Sequence, residues 1–141
     1  MSERRNLVVC HIASVDAMGD AIDAVRELTH SERRFGLLLA VSARRSLDDY
    51  LSIDPAARSW LRLHRVAVGT WCLGVGYVWL DPQARLYNRR HLQRAPFVWG
   101  TYVEAFACVR EARVWLDARL GDAATAPAAQ TPAAEATGST A

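Results

Sequence analysis

The sequence predicts a single α/β domain in which about four strands form a mostly parallel sheet with helices alternating between them. Three observations carry this. Leu7–Ile12 reads as a strand, and Phe35–Val41 is a continuous apolar run of strand length, the pattern of a strand buried on both faces. The residues between them repeat apolar positions at helical spacing and are long enough for a crossover between parallel strands. Asp54-Pro55 and Asp81-Pro82 then each pair a capping side chain with proline at the first helical position.

In chain order, Leu7–Ile12 is the first strand. Ser14 or Asp16 caps a helix through Met18, Ala21, Ile22, Val25 and Leu28. Asp20 and Asp23 sit near its start and Arg26, His30, Arg33 and Arg34 towards its end, the sign order that the helix dipole favours. Phe35–Val41 is the second strand. Ser46 and Asp49 have capping-box spacing ahead of a short helical turn, and Asp54-Pro55 opens a helix through Trp60, Leu61 and His64. Residues 66–80 carry no charge. Their β-branched start, 66–70, reads as the central strand, and Gly74, Gly76, Tyr77 and Trp79 as a glycine and aromatic wall after it. The run is shorter than the ~18 to 20 residues of a membrane span. Asp81-Pro82 opens a helix through Leu86, Tyr87 and Leu92 that Pro96 stops; residues 97–105 hold the last strand. A terminal helix carries Val109, Ala112, Leu116 and Leu120 and closes at Gly121. The domain thus spans 1–121, and the Ala, Thr and Pro composition of 122–141 predicts a disordered tail.

A chain of 141 residues with 51% hydrophobic and 23% charged residues has the composition of an ordinary globular domain. All seventeen basic residues are arginine. The absence of lysine excludes a phosphate-loop lysine and Schiff-base chemistry. Cys10, Cys72 and Cys108 are odd in number and widely spaced, which predicts reduced thiols and no zinc site. The polar N-terminus precedes only a short apolar stretch, so no signal peptide is expected and the predicted location is the cytoplasm.

Pro96-Phe97, Phe106, Glu111-Ala112 and Trp115-Leu116 resemble the ending of SpoIIAA-like proteins of the STAS and SEC14-type class, where a strand leads into a helix with a Glu-Ala and Trp-Leu signature. The resemblance covers roughly residues 35–120. It implies an STAS-like fold and a non-enzymatic regulator, or a domain that holds a small lipophilic molecule. In the related anti-sigma-factor antagonists, an Asp-x-Ser-Gly loop after the second strand presents a phosphorylatable serine. Residues 42–47 contain neither that Asp nor that Gly, and Ser46 reads as a helix cap.

The most informative pattern is a repeat. Asp54-Pro55 followed by Arg58, Arg62 and His64 recurs as Asp81-Pro82 followed by Arg85, Arg89 and His91, with Trp60 matched by Tyr87. Helical spacing puts Arg58 with Arg62, Arg85 with Arg89 and Arg90 with Arg94 on common faces. Between Arg58 and Arg94 there are seven arginines and one acid. Such a flank is either a solvated face or a surface for an anionic partner; nucleic acid fits less well, since the sequence pI is about 8.6 and no reader motif is present.

Trp71, Tyr77, Trp79, Phe97, Trp99 and Tyr102 either line an apolar pocket or fill the core or an oligomer interface; Trp71, Tyr77 and Trp99 are the site candidates among them. Cys10 and His11 alternate across a strand, so they cannot pair. His64 and His91 have no carboxylate nearby in sequence, and Asp48 and Asp49 serve a helix start better than acid–base work. No catalytic residue, metal or cofactor is therefore assigned. The expected function is a non-catalytic binding or regulatory domain for a protein partner or a small lipophilic or anionic ligand. Its expected site comprises Arg58, Arg62, His64, Trp71, Tyr77, Arg85, Arg89, His91 and Trp99. The alternatives are a small enzyme or biosynthetic accessory acting on an anionic metabolite through His64 or His91, and a homo-oligomeric scaffold that buries the Trp71 to Trp99 surface.

Overall fold

The computed structural model describes residues 6–124, and side chains as far as residue 121. Four strands, β1 (Leu7–Ile12), β2 (Phe35–Val41), β3 (Cys72–Trp79) and β4 (Val103–Phe106), pair in the order β1-β2-β3-β4, every pair parallel. The connections are α1 (Val15–His30), then α2 (Leu47–Ile53), α3 (Pro55–Leu63) and α4 (Arg65–Trp71), then α5 (Pro82–Tyr87) and α6 (Arg89–Trp99); α7 (Val109–Ala124) ends the chain of elements. The α/β class and the four-strand count are those expected from sequence.

Right-handed crossovers put all three connections on one face of the sheet. Phe35, Leu37, Leu39, Val41, Val75 and Tyr77 project into that layer and meet Met18, Ile22, Leu51, Leu61, Val68 and Trp99 from its helices. The intervening strand residues face the other way, where Leu38, Ala40 and Val78 pack on Ala112 and Leu116 of α7. On that face Gly74 lies so close to Trp115 that a Cβ would stand 2.8 Å from its ring. Glycine in β3 is therefore what seats the last helix against the sheet. One extra residue of β3 between Cys72 and Val75 bulges the pairing with β2. The carbonyl of Leu73, within that bulge, accepts from Arg119 Nε, whose guanidinium lies 4.1 Å from the Tyr102 ring centre.

Several boundaries differ from the sequence expectation. Residues 66–70 are helical, not the central strand. Val68 and Gly69 face the core while Val66 is 72% exposed, so α4 buries one side only. The strand is the stretch read as a glycine wall, because its glycines share the face that α7 covers. Pro96 does not stop its helix: α6 continues to Trp99, held by burial of Ala95 and Trp99, and ends at Gly100 in the left-handed conformation (φ 72°). The last strand is accordingly 103–106 rather than 97–105. The single helix expected after Asp81-Pro82 is broken at Asn88, and Gly121 lies inside α7. From residue 125 the expected tail lies outside the described residues.

The start signals fared better. Ser14 accepts from Ala17 N, Ser46 from Asp48 N, Asp54 from Ala57 N and Asp81 from Gln83 N. No helix among the described residues is long and apolar enough to cross a membrane.

A Cβ at Gly100 would stand 2.5 Å from the carbonyl oxygen of Arg65, in a conformation that already disfavours side chains. Gly100→Ala is expected to cost more than about 2 kcal/mol in urea unfolding. Gly76→Ala, whose Cβ would make ordinary contacts, should cost less than about 1 kcal/mol.

Candidate functional site

The candidate site is built where α2, α3, α4 and α6 converge. The N-terminus of α2 is fixed from two sides, by the Ser46 cap and by Asn88, a fully buried side chain whose Oδ1 accepts from Leu47 N at 2.6 Å. Nδ2 of Asn88 donates to Ala84 O at 2.8 Å, so the break between α5 and α6 is also the brace of α2. That brace sets the position of Asp48 in the first turn of α2.

Asp48 Oδ1 lies 2.8 Å from His91 Nδ1, and Asp48 Oδ2 accepts from Arg94 at 3.3 Å. His91 Nε2 is 2.7 Å from Tyr77 Oη, which also accepts from Trp99 Nε1 at 2.8 Å. The donor inventory orders this chain. Trp99 N–H can only donate, so Tyr77 receives that bond and gives its own hydrogen to His91 Nε2; Nδ1–H of His91 then donates to Asp48. Tyr77, His91 and Trp99 are all fully buried. The hydrogen bond from His91 holds the Asp48 carboxyl below its usual range against the opposing effect of burial, and the charges of Arg94 and Arg90 add to it. Burial pushes the Tyr77 hydroxyl well above its ordinary range despite the bond from Trp99.

Asp48 also opens onto a cavity of about 560 Å³. Arg58 and Arg62 of α3, Arg65 of α4 and Arg94 of α6 line it, against that single carboxylate. Leu51, Leu61 and Val98 supply apolar wall, and Phe97, 73% exposed, stands at the lip. Arg94 is tied to Asp48, and Arg65 donates to the Phe97 carbonyl at 3.4 Å. Arg58 and Arg62 have no ion-pair partner among the described residues. Buried Ala57 and Leu61 turn one side of α3 to the core and leave these two arginines, four residues apart, beside the opening.

The expected site residues are thus scattered. Arg58 and Arg62 line the cavity. His64 does not: it stacks on Trp60 at 4.7 Å and its Nδ1 is 2.9 Å from the Trp60 carbonyl. Arg85 and Arg89 lie on two different helices, so the face they were expected to share does not exist, and neither lines the cavity. Trp71 is half-buried against the core, while Tyr77 and Trp99 are inside it. None of these rings lines the cavity beside Asp48. His91, which has no carboxylate nearby in sequence, meets one in space, that of Asp48, 43 residues away.

The expected site omits four residues that line this cavity, Asp48, Arg65, Arg94 and Phe97. The four-residue spacing of Arg90 and Arg94 was visible, but nothing local links either to Asp48. Among the described residues no three His, Cys, Asp or Glu side chains gather as a metal site requires. Cys72 is buried, which raises its thiol to about 12; Cys10 is half-buried and Cys108 exposed. Comparisons with protein-family models, curated proteins and solved structures find no match.

His91→Ala strips Tyr77 of its acceptor and Asp48 of its closest donor, and is expected to cost at least about 2 kcal/mol in urea unfolding. His64→Ala should stay within about 0.5 kcal/mol of the parent. Because the folded carboxyl of Asp48 titrates below its unfolded value of about 3.9, its contribution is complete above that pH and is lost as pH falls through the folded value. Asp48→Asn should therefore be less stable than the parent at neutral pH. The gap should narrow below about pH 4 in pH-resolved thermal unfolding.

Proposed function

We propose that this protein is a non-catalytic binding domain for a small amphiphilic anion, held in the cleft between α2, α3, α4 and α6. The observation that carries the reading is the composition of that cleft: four arginines against one carboxylate, beside an apolar wall. Two of the arginines have their planar forks uncommitted and adjacent, which suits a phosphate or carboxylate head. Leu51, Leu61, Val98 and Phe97 offer apolar contact to whatever the head is attached to, and about 560 Å³ is in the range of small-molecule sites.

Binding is favoured over catalysis by the state of the histidines. His91 has no exposed surface and both ring nitrogens are engaged, and His64 is outside the cleft. The resemblance of the C-terminal stretch to SpoIIAA-like proteins, whose members regulate or hold small lipophilic molecules, agrees with this reading.

Isothermal titration calorimetry with octyl phosphate tests the reading. Octyl phosphate should bind, and both octanol and inorganic phosphate should bind more weakly, since each lacks one half of the contact. Arg58→Ala and Arg62→Ala should each weaken octyl phosphate about tenfold, the loss of roughly one charge-assisted hydrogen bond. Equal affinity in the parent and both variants would rule the cleft out.

A further inference from the structure

The walls of the arginine cleft differ in hydrogen-bonding character. Arg58, Arg62, Arg65 and Arg94 bring donors only, since a guanidinium has no acceptor. The wall formed by α2 brings acceptors. Asp48 and Ser52 both line the cleft and are four residues apart, on one side of that helix. Ser52 Oγ donates its single hydrogen to the Asp48 carbonyl at 3.0 Å, which leaves it lone pairs alone. The Asp48 carboxylate accepts one bond at each oxygen, from His91 at 2.8 Å and from Arg94 at 3.3 Å. A carboxylate has about four lone-pair sites, so half of its accepting capacity is unspent by side chains. With 23% of its side chain exposed, Asp48 is within reach of a molecule in the cleft.

For a plain anion this carboxylate is a cost, because it repels the head that the arginines attract. The bond from His91 and the charges of Arg94 and Arg90 keep it ionised at neutral pH. A carboxyl so readily ionised is a poor general base, and it holds a donor in place without taking its proton. Only a ligand that carries a donor beside its anionic head turns the repulsion into a charge-assisted bond. The kind of donor follows from what surrounds Asp48. Arg94 already lies against Oδ2 and Arg90 adds its field, so an ammonium group would meet two cations, whereas a neutral hydroxyl meets no such penalty.

We propose that the cleft selects an anionic amphiphile bearing a hydroxyl group next to its charged head, with the head on Arg58 and Arg62 and the hydroxyl donating to Asp48. The proposal rests on the anion-binding reading above and names the class of ligand within it. Asp48 is then the residue that sets specificity. Its bond to buried His91 fixes one carboxylate oxygen, so the acceptor is in place before the ligand arrives.

Calorimetric titration of the full chain with four probes tests it: octyl phosphate, and octyl phosphate carrying a hydroxyl, a methoxy or an amino group on its second carbon, each enantiomer measured separately. One enantiomer of the hydroxy compound should bind at least about tenfold more tightly than octyl phosphate and than the methoxy compound, which keeps the oxygen and lacks the hydrogen. The amino compound should bind more weakly than the hydroxy one. Asp48→Asn should hold octyl phosphate at least as tightly as the parent, because the repelling charge is gone and Arg94 is released, and its preference for the hydroxyl should fall below about threefold. Equal binding of the hydroxy and methoxy compounds by the parent overturns the proposal, and that comparison decides even where Asp48→Asn does not fold. Tighter binding of the amino compound overturns it as well, as does an undiminished preference in folded Asp48→Asn. Octyl phosphate binding that depends on Arg58 and Arg62, without any gain from the hydroxyl, overturns it and leaves the anion cleft standing. If none of the four binds, both readings fall together.

Discussion

A tyrosine hydroxyl buried between a sheet and its helices must be given partners, and the way Tyr77 is supplied organises this fold. An unpaired buried hydroxyl costs about 1–3 kcal/mol. Here Trp99 gives to Tyr77, Tyr77 to His91 and His91 to Asp48, so the polar groups of β3, α6 and α2 are satisfied in series. The series has a direction, and it ends on a carboxylate beside the arginine cleft. Packing of the core and placement of charge at the surface are thereby one arrangement. Moving α6 would displace Arg94 and Phe97 together with the two rings that anchor them, and the same helix carries both ends of that coupling.

The two faces of the sheet solve different problems. The helical layer must accommodate one long helix and five shorter ones, and it does so with large side chains and with buried polar braces such as Asn88. The opposite face is covered by α7, and closeness replaces bulk there: glycine in β3 brings Trp115 and Ala112 almost onto the backbone. This asymmetry accounts for the position of the cleft. The cleft lies in the layer where the ends of several helices converge.

The class of the fold, its strand count, the first two strands and every side-chain cap of the Asp-Pro and serine type were legible in the sequence, because they depend on local chemistry and period. The third strand was not. Residues 66–79 are uncharged throughout, and in such a run a one-sided helix followed by a strand cannot be separated by periodicity. Pro96 misled for a related reason: the cost of proline inside a helix is local, whereas the burial of Trp99 that outweighs it is not. At the site, Arg58 and Arg62 were found because helical spacing joined them. His91 was named but its link to Asp48 was missed because 43 residues separate them, and Arg94 was read as one of a charge pair because its partner lies on another helix. Tertiary juxtaposition leaves no periodic trace.

The sequential strand order has a consequence for how the chain acquires this structure. Each strand of the 1-2-3-4 sheet pairs with the one synthesised just before it, so the sheet can grow in the order of translation without waiting for distant partners. Its two faces do not mature together. The helical layer closes crossover by crossover, but Leu38, Ala40 and Val78 stay bare until Val109–Ala124 has left the ribosome. A nascent chain of this design therefore passes through a stage that is ordered on one side and adhesive on the other, and its vulnerable interval ends with its last helix.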